Sequence, residues 1–317
     1  MAAALTLGAR GRGRTAPNPN VGCIIVRDDR VVGRGWTQPG GRPHAEAMAL
    51  EQAGAFAKGA TLYTTLEPCA HVSPRGPACS DLIIDAQLAR VVIALVDPDA
   101  RTCGQGIERL QTAGIAVTHG PGTAAALSVM AGFLTRLALG RPYITLKLAT
   151  SLDGQIALAD GTSQWITGPQ ARAHGHLERA RHEVIVVGRH TIQADAPKLD
   201  VRLAGLEDRS PRRLVLTTMT EAPSGWGVLR KPADVALLTG VNDVLVEGGA
   251  QTAAAFLADN LVDRLLLYRA PILIGAGKAA LGEFGLSDLG TAHGRWQHGD
   301  TRTLGDDRLE VYERVRE

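Results

Sequence analysis

The sequence predicts two consecutive α/β domains. Strand-like apolar runs alternate with helix-like periodic segments along the chain, as in sheets covered by helices. A "GRP" at 140–142 interrupts the series, and a second series begins after it. A chain of 317 residues suits two domains of ordinary size.

The elements follow in order. "AAALTLGARG" reads as an opening helix. Residues 21–36 read as a hairpin, with "VGCIIV" and "VVGRGW" as strands and "RDDR" as the turn. "AEAMALEQAG" spaces alanine, leucine and methionine helically and stops at Gly54. "ATLYTTLEPC" is a strand running into a loop, "CSDLIIDAQLA" a helix and "RVVIALVDP" a buried strand. "GIERLQTAG" is a helix and "IAVTHG" a short strand, and residues 123–139 read as one helix. In the second series "YITLKLA" is a strand and "PQARAHGHLERAR" a helix. "EVIVVG", "RRLVLTT", "VALLTG" and "DVLVEGG" are strands, "AQTAAAFLADN" is a helix, and "VDRLLLYRAPILIG" closes the series. The expected domains are 1–140 and 141–317.

Composition narrows the function classes. Charged residues make up 21% of the chain, net charge is +2, and aromatic content is 4%. Binding to long nucleic acid asks for a basic stripe, and single-strand binding also asks for stacking platforms, so the balance favours a small substrate. No apolar run has membrane-spanning length. The N-terminus places its apolar residues before its arginines, the reverse of a secretory signal, so a cytoplasmic protein is expected. Four cysteines are too few for a disulfide framework at this length. In a reducing compartment, clustered cysteines point to metal ligands instead.

His44 and Glu46 open the helix in "PHAEAMALEQAG", and "EPCAHVSPRGPACSD" follows. A catalytic zinc takes three nitrogen or sulfur ligands and keeps a fourth position for water. His44, Cys69 and Cys79 supply such a set, with Cys79 at a helix start where the dipole favours a thiolate. Zinc lowers the pKa of bound water to about 7, and Glu46 stands close enough in sequence to carry the proton. The pattern is that of zinc deaminases, H-x-E then P-C-x-x-C, except that nine residues separate Cys69 from Cys79.

"PNPNVG", "PHAEAMAL", "TLEPCAH" and "GPACSDLI" together resemble the deaminase domain of the bifunctional riboflavin-biosynthesis deaminase–reductases. That family has a long loop between its zinc cysteines, here one residue longer than usual. The resemblance implies a cytidine-deaminase-like three-layer domain. It also implies His44, Cys69 and Cys79 as zinc ligands and Glu46 as proton shuttle. His71 and Arg75 match a histidine and a basic residue near the substrate, although His71 also reads as a solvated loop residue. Asn20 matches an asparagine that bonds the pyrimidine, although it also reads as a turn residue between prolines. Cys23 reads as core. Cys103 lies where the family's "DP-N" stretch is altered, and has no assigned role.

"LKLATSLDGQIAL", "SQWITGPQAR" and "ADAPKLDVR" resemble the same family's reductase domain, which is dihydrofolate-reductase-like. In "DVLVEGGAQTAAAFL" a strand, two glycines and a helix start make a phosphate cradle, without a G-x-G-x-x-G fingerprint. By the resemblance, Ala149, Trp165, Thr191, Asp195 and Thr218 fall where the family holds NADPH. So does the run Gly249, Ala250, Gln251, Thr252, Ala253, Ala254 and Ala255. Thr218 is in a stretch that departs from the family's Asp-Ser ending. Ser163, Arg179, Leu199, Arg202 and Glu247 fall where the family holds a ribose-phosphate substrate, the two arginines suiting the phosphate. Arg179 also reads as a solvated helix-face residue. Lys147 and Asp153 are candidates for the sugar, and Lys147 also reads as solvent-facing.

The resemblance implies hydrolytic deamination of a diaminopyrimidinone ribosylamino phosphate, then reduction of ribosyl to ribityl, in a homo-oligomer. The rivals are a deaminase-only enzyme and a nucleic-acid editing deaminase with a non-catalytic C-terminal domain.

Overall fold

Glycines decide how closely helices can lie on the first sheet. α1 (Ala2–Gly8) precedes the hairpin of β1 (Gly22–Arg27) and β2 (Arg30–Trp36), and α2 (Ala45–Ala53) follows. Across the hairpin Gly22 pairs with Trp36 and Cys23 with Gly35. Side chains alternate faces along a strand, so Gly22 and Gly35 look to opposite sides. A Cβ on Gly22 would meet the Ala4 carbonyl at 1.9 Å, and one on Gly35 the Ala45 carbonyl at 2.0 Å. α1 and α2 therefore cover opposite faces, each pressed in where a side chain is missing. The first turn of α2, which carries Glu46, is thereby seated on β2. The computed structural model describes all residues except Val72, Thr220, Glu221 and Glu317.

The rest of this unit is β3 (Thr61–Thr64), α3 (Cys79–Asp85), β4 (Arg90–Ile93), α4 (Gln105–Thr112), β5 (Ala116–His119), α5 (Thr123–Val129) and α6 (Ala131–Leu139). The strand order is β2-β1-β3-β4-β5. β1 is antiparallel to both neighbours, and β3, β4 and β5 run parallel. Ile25, Leu62, Ile83, Ile93 and Leu110 are fully buried at its centre. Two sequence expectations change. β4 stops at Ile93, so Ala94–Pro98 leaves the sheet as a loop. The helix expected over 123–139 breaks at Met130 (φ −103°, ψ 17°). The Asn20 side-chain amide takes the Val129 carbonyl at 3.1 Å, a carbonyl that a continuous helix would have used.

The chain divides into two units, Met1–Gly140 and Arg141–Glu317. The second contains β6 (Tyr143–Thr150), β7 (Gln155–Ala157), α7 (Pro169–Arg179), β8 (Val184–Gly188), α8 (Arg189–Asp195) and β9 (Arg212–Leu216). It continues with β10 (Gly227–Leu229), β11 (Asp243–Val246), α9 (Ala250–Ala258), β12 (Arg264–Arg269), β13 (Lys278–Ala279), β14 (Trp296–Leu304) and β15 (Asp307–Arg314). The eight-stranded order is β10-β9-β8-β11-β6-β12-β15-β14. Its first six strands run parallel, while β15 and β14 are antiparallel additions. Val184, Val186, Val244 and Val246 on β8 and β11 are fully buried, as central parallel strands require.

"VALLTG" is not a strand. Pro232–Leu237 forms a 3₁₀ turn, because the Asp234 carboxylate accepts the Arg230 and Lys231 amides and winds the chain at once. The last expected strand ends at Arg269, and Pro271 prevents its extension. The β14–β15 hairpin and α8 were not anticipated.

At the opposite strand ends from α8 and α9, Glu183 accepts the Asn242 and Asp243 amides at 3.2 and 2.7 Å. Burial, reinforced by the Asp243 carboxylate, pushes its carboxyl up to about 8. The unfolded chain releases this proton near 4.5, so between 4.5 and 8 the unfolded state binds fewer protons and stability falls as pH rises. Glu183→Gln removes this loss. Melting curves from pH 5 to 9 should show the variant gaining on the native protein as pH climbs. A constant difference would refute the assignment.

Candidate functional site

His44 caps α2 from an extended conformation (φ −73°, ψ 162°), which turns its ring toward the start of α3. His44 Nδ1 lies 3.3 Å from Cys79 Sγ and 3.6 Å from Cys69 Sγ. The ligand atoms of these three residues all lie within 4.8 Å of one another. Among the described residues they are the one such metal-holding group. One nitrogen and two sulfurs at this spacing fit a tetrahedral zinc with an open fourth position. The long sequence loop between the cysteines is bridged in space, because Cys79 N–H donates to Cys69 Sγ at 3.3 Å and Ser80 N–H to the Cys69 carbonyl at 3.1 Å.

Cys79 is the first residue of α3, as expected, and its backbone amide also donates to Cys69 Sγ, so the helix start serves both sulfurs.

Glu46 lies in the first turn of α2, is buried, and lines the same cleft as His44. Burial pushes its carboxyl up, against a smaller downward pull from His44. Beside it opens a cleft of about 400 Å³, lined by His44, Glu46, Cys69, His71 and Arg75 together with Asn18, Asp97, Asp99, Arg101 and others. His71 reaches the Thr102 hydroxyl at 3.3 Å, and Arg75 donates to the Gly40 carbonyl at 2.8 Å, so both form walls of the cleft. Burial raises Asp97 to about 6.

Asn20 does not fulfil its sequence expectation. It is buried, does not line the cleft, and its amide nitrogen donates to the Gly8 and Val129 carbonyls at 3.2 and 3.1 Å. The asparagine of the cleft is Asn18, one position before the second proline, whose Nδ2 lies 3.3 Å from His44 Nε2. Sequence reading also missed Glu67. Its buried carboxylate accepts the amides of Asp97, Gly104 and Ile107 at 3.2, 3.0 and 3.1 Å, and so clamps the loop that forms one wall. A partner on the far nitrogen of a ligating histidine fixes ring orientation and tautomer. Asn18→Ala should therefore weaken zinc binding by about 10- to 100-fold in chelator competition. Asn20→Ala should leave zinc affinity intact and lower the melting temperature, having orphaned the buried Gly8 carbonyl at about 1–3 kcal/mol and the half-buried Val129 carbonyl at less. The opposite pattern would restore Asn20 to the site.

In the second unit, β8 and β11 both run out at the same sheet edge into a glycine and a helix start. Ligands gather at such carboxyl ends. A Cβ on Gly248 would meet Thr252 Cβ at 2.3 Å, whereas one on Gly249 finds nothing nearer than Thr191 Oγ1 at 3.9 Å. The space above Gly249 is open, and the amides of Gly249, Ala250, Gln251 and Thr252 lack partners within the helix. This fits a dinucleotide phosphate. Ala253, Ala254 and Ala255 continue the helix beyond the open amides. The Ala253 amide bonds the Gly249 carbonyl, and the Ala253 and Ala254 side chains are buried in the helix packing.

Ala149 is half-buried on β6, Thr191 is on α8 beside Gly249, and Asp195 ends α8 exposed. Thr218 is exposed just beyond β9. Trp165 is exposed, under the Arg172 guanidinium at 4.8 Å. Ser163 is half-buried on the same loop.

Glu247 is the hub of the expected substrate residues. It accepts both arms of Arg179 at 2.7 and 2.9 Å and faces Lys147 Nζ at 3.8 Å. Burial would push its carboxyl up, but Arg179 and Lys147 outweigh it and hold it at about 2. Arg179 also donates to the Asp200 carbonyl at 3.2 Å. Three of its five N–H donors are thus engaged within the protein. Arg202 is exposed and only loosely paired with Asp200, at 3.5 Å. Leu199 is buried with a left-handed backbone, φ 54°. Asp153 has a structural task. Ser151 Oγ and the amides of Ile274 and Gly275 all donate to its carboxylate, pinning two loops together.

Comparison with known proteins narrows the class. Residues 1–95 match the cytidine and deoxycytidylate deaminase zinc-binding region, and residues 142–308 match the RibD C-terminal domain. The fold and site therefore define a zinc-dependent deaminase joined to a reductase. The riboflavin biosynthesis protein RibD of Escherichia coli is 40% identical over 89% of each chain. That of Aquifex aeolicus is 37% identical over 91% of this chain and 90% of its own. The RibD structure of Acinetobacter baumannii superposes with a TM-score of 0.84 at 34% identity, covering 99% of this chain and 98% of that one. A diaminohydroxyphosphoribosylaminopyrimidine deaminase/5-amino-6-(5-phosphoribosylamino)uracil reductase of Thermotoga maritima gives 0.87 at 30% identity, covering 99% and 97%. The chain belongs to the RibD family of bifunctional deaminase–reductases of riboflavin biosynthesis. Among the described residues no helix is long and apolar enough to cross a membrane.

Proposed function

We propose that the first unit hydrolyses the 2-amino group of 2,5-diamino-6-(ribosylamino)pyrimidin-4-one 5′-phosphate, and that the second reduces the ribosyl group of the product to ribityl. The observation that carries the first step is the His44–Cys69–Cys79 donor set beside buried Glu46 in one cleft. Zinc held by these three residues supplies a Lewis acid that makes the attacking water acidic near neutral pH. Glu46 accepts a proton from that water and returns it to the departing nitrogen, so ammonia leaves as oxygen takes its place. A raised carboxyl suits a group that must both take and give a proton at neutral pH. Asn18 orients His44, and His71 and Arg75 bound the substrate in the cleft.

NADPH at the Gly249–Thr252 cradle supplies the hydride for the second step. Thr191 borders the cradle, and the family resemblance assigns Ala149, Trp165, Asp195 and Thr218 to the same cofactor. Glu247 holds Lys147 toward the sugar, and Arg202 is the arginine with its charge left for the phosphate. Ser163 and Leu199 complete the substrate side. The same reading makes the protein a cytoplasmic homo-oligomer acting on a small molecule.

The test is a single-vessel assay with the diaminopyrimidinone substrate and NADPH. Ammonia release must precede NADPH oxidation, and omission of zinc must stop both, with added deaminated product restoring NADPH oxidation alone. Ammonia release with no NADPH oxidation at any stage would reduce the reading to a deaminase alone.

A further inference from the structure

We infer that Thr64 is a positioning residue for the deamination, its hydroxyl steadying Glu46 through both halves of the proton transfer. The inference rests on Glu46 being the proton carrier proposed above. Thr64 is the last residue of β3 and is fully buried. Its Oγ1 lies 3.0 Å from Glu46 Oε1 and 3.1 Å from the Leu66 carbonyl. The neighbouring Thr65 hydroxyl is occupied differently, accepting the Gly22 amide at 3.0 Å.

The contact falls on one carboxyl oxygen and leaves the other for the water and the departing nitrogen. While Glu46 is a carboxylate, Thr64 O–H donates to Oε1. Once Glu46 carries the proton taken from water, that proton is on the second oxygen, from which it can be handed on. Oε1 is then the carbonyl oxygen of the acid and still accepts the same O–H. Thr64 therefore serves the carboxyl in either state without moving a heavy atom. α2 fixes only the Glu46 backbone, and three side-chain torsions remain. The bond to Thr64 restrains one oxygen at the β3 edge.

Valine and serine replacements separate this from a packing role, because each keeps what the other removes. Valine preserves shape and loses the hydroxyl, and serine does the reverse. In the full-length zinc-loaded enzyme, Thr64→Val should lower the deaminase kcat by about 10- to 100-fold, the cost of a small misplacement of a reacting group. KM, zinc stoichiometry and the reductase activity of the same polypeptide should hold, and the solvent deuterium isotope effect on kcat should rise. Thr64→Ser should stay close to the native kcat. A native-like valine variant beside an impaired serine variant would overturn the inference and leave a packing residue. Loss of zinc or of reductase activity in the valine variant would overturn it too, since a structural role moves all three. Glu46→Gln is assayed alongside. If that variant still deaminates, the proposed role of Glu46 fails, and this inference falls with it. If only the Thr64 variants are silent, this inference alone falls.

Discussion

Glu46→Gln should cut ammonia release by about 10⁴-fold while the protein keeps its zinc and its reductase activity. Glutamine matches glutamate in shape, and its carbonyl oxygen can still accept the Thr64 hydroxyl that lies 3.0 Å from Oε1. The metal ligands are untouched, because Glu46 is not among the three converging atoms. What disappears is a group able to take a proton from water and pass it on. A positioned general acid–base contributes about 10²–10⁴-fold, and here one residue would serve both transfers, so the loss should sit at the upper end. Removing a buried carboxyl that burial pushes up should also leave folding unharmed or slightly improved. Ammonia release, metal analysis and NADPH oxidation with the deaminated substrate on one preparation check all three statements. Ammonia release near the native rate refutes the role, and lost zinc would make Glu46 a ligand instead.

The zinc donors were legible in the sequence because their chemistry admits few substitutes. Nitrogen and sulfur ligands at a helix start and a loop announce themselves by residue type, even with an unusual spacing. The asparagine was not so legible. Asn18 and Asn20 flank the same proline, and both suit a turn. Only the path of the chain decides that Asn18 meets His44 while Asn20 ties α1 to the break after α5. Glu67 was hidden for a similar reason, since its three partners are backbone amides 30 to 40 positions downstream that no side-chain pattern records. In the fold, long strongly periodic segments read correctly. The break at Met130 and the turn at Pro232–Leu237 came from side-chain capture of backbone groups, which overrides local periodicity. The second unit's residues were grouped by resemblance, apart from the glycine cradle before α9. The structure sorted them by what their charges already hold, separating Arg179 from Arg202 and giving Asp153 a structural task.

Glu247→Gln should strike the second unit harder than any other single change considered. Glu247 joins the end of β11 to α7 through Arg179 and to β6 through Lys147. Arg179 and Glu247 are only 16% and 9% exposed at their side chains, so the pair is not a surface ion pair of small effect. Glutamine can take one arm of the guanidinium but offers no charge, leaving two cations facing each other around a neutral amide. Breaking a buried pair from one side costs about 3–5 kcal/mol. The variant should therefore melt much earlier and lose NADPH oxidation, while deamination in the first unit survives below that melting point. Arg179→Lys keeps the charge and loses the fork, and should fall between the two. The pH dependence has a definite sign. Glu247 ionises at about 2 in the folded protein against 4.5 for an ordinary glutamate. Its contribution is complete above 4.5 and drains away as pH falls toward 2. The native protein should thus lead the variant by a constant margin at neutral pH, and the margin should close below 4.5. Deaminase lost in step with reductase would mean that the damage spreads through the whole chain. A margin unchanged down to acid pH would mean that the carboxylate charge is not what holds Arg179 and Lys147 in place.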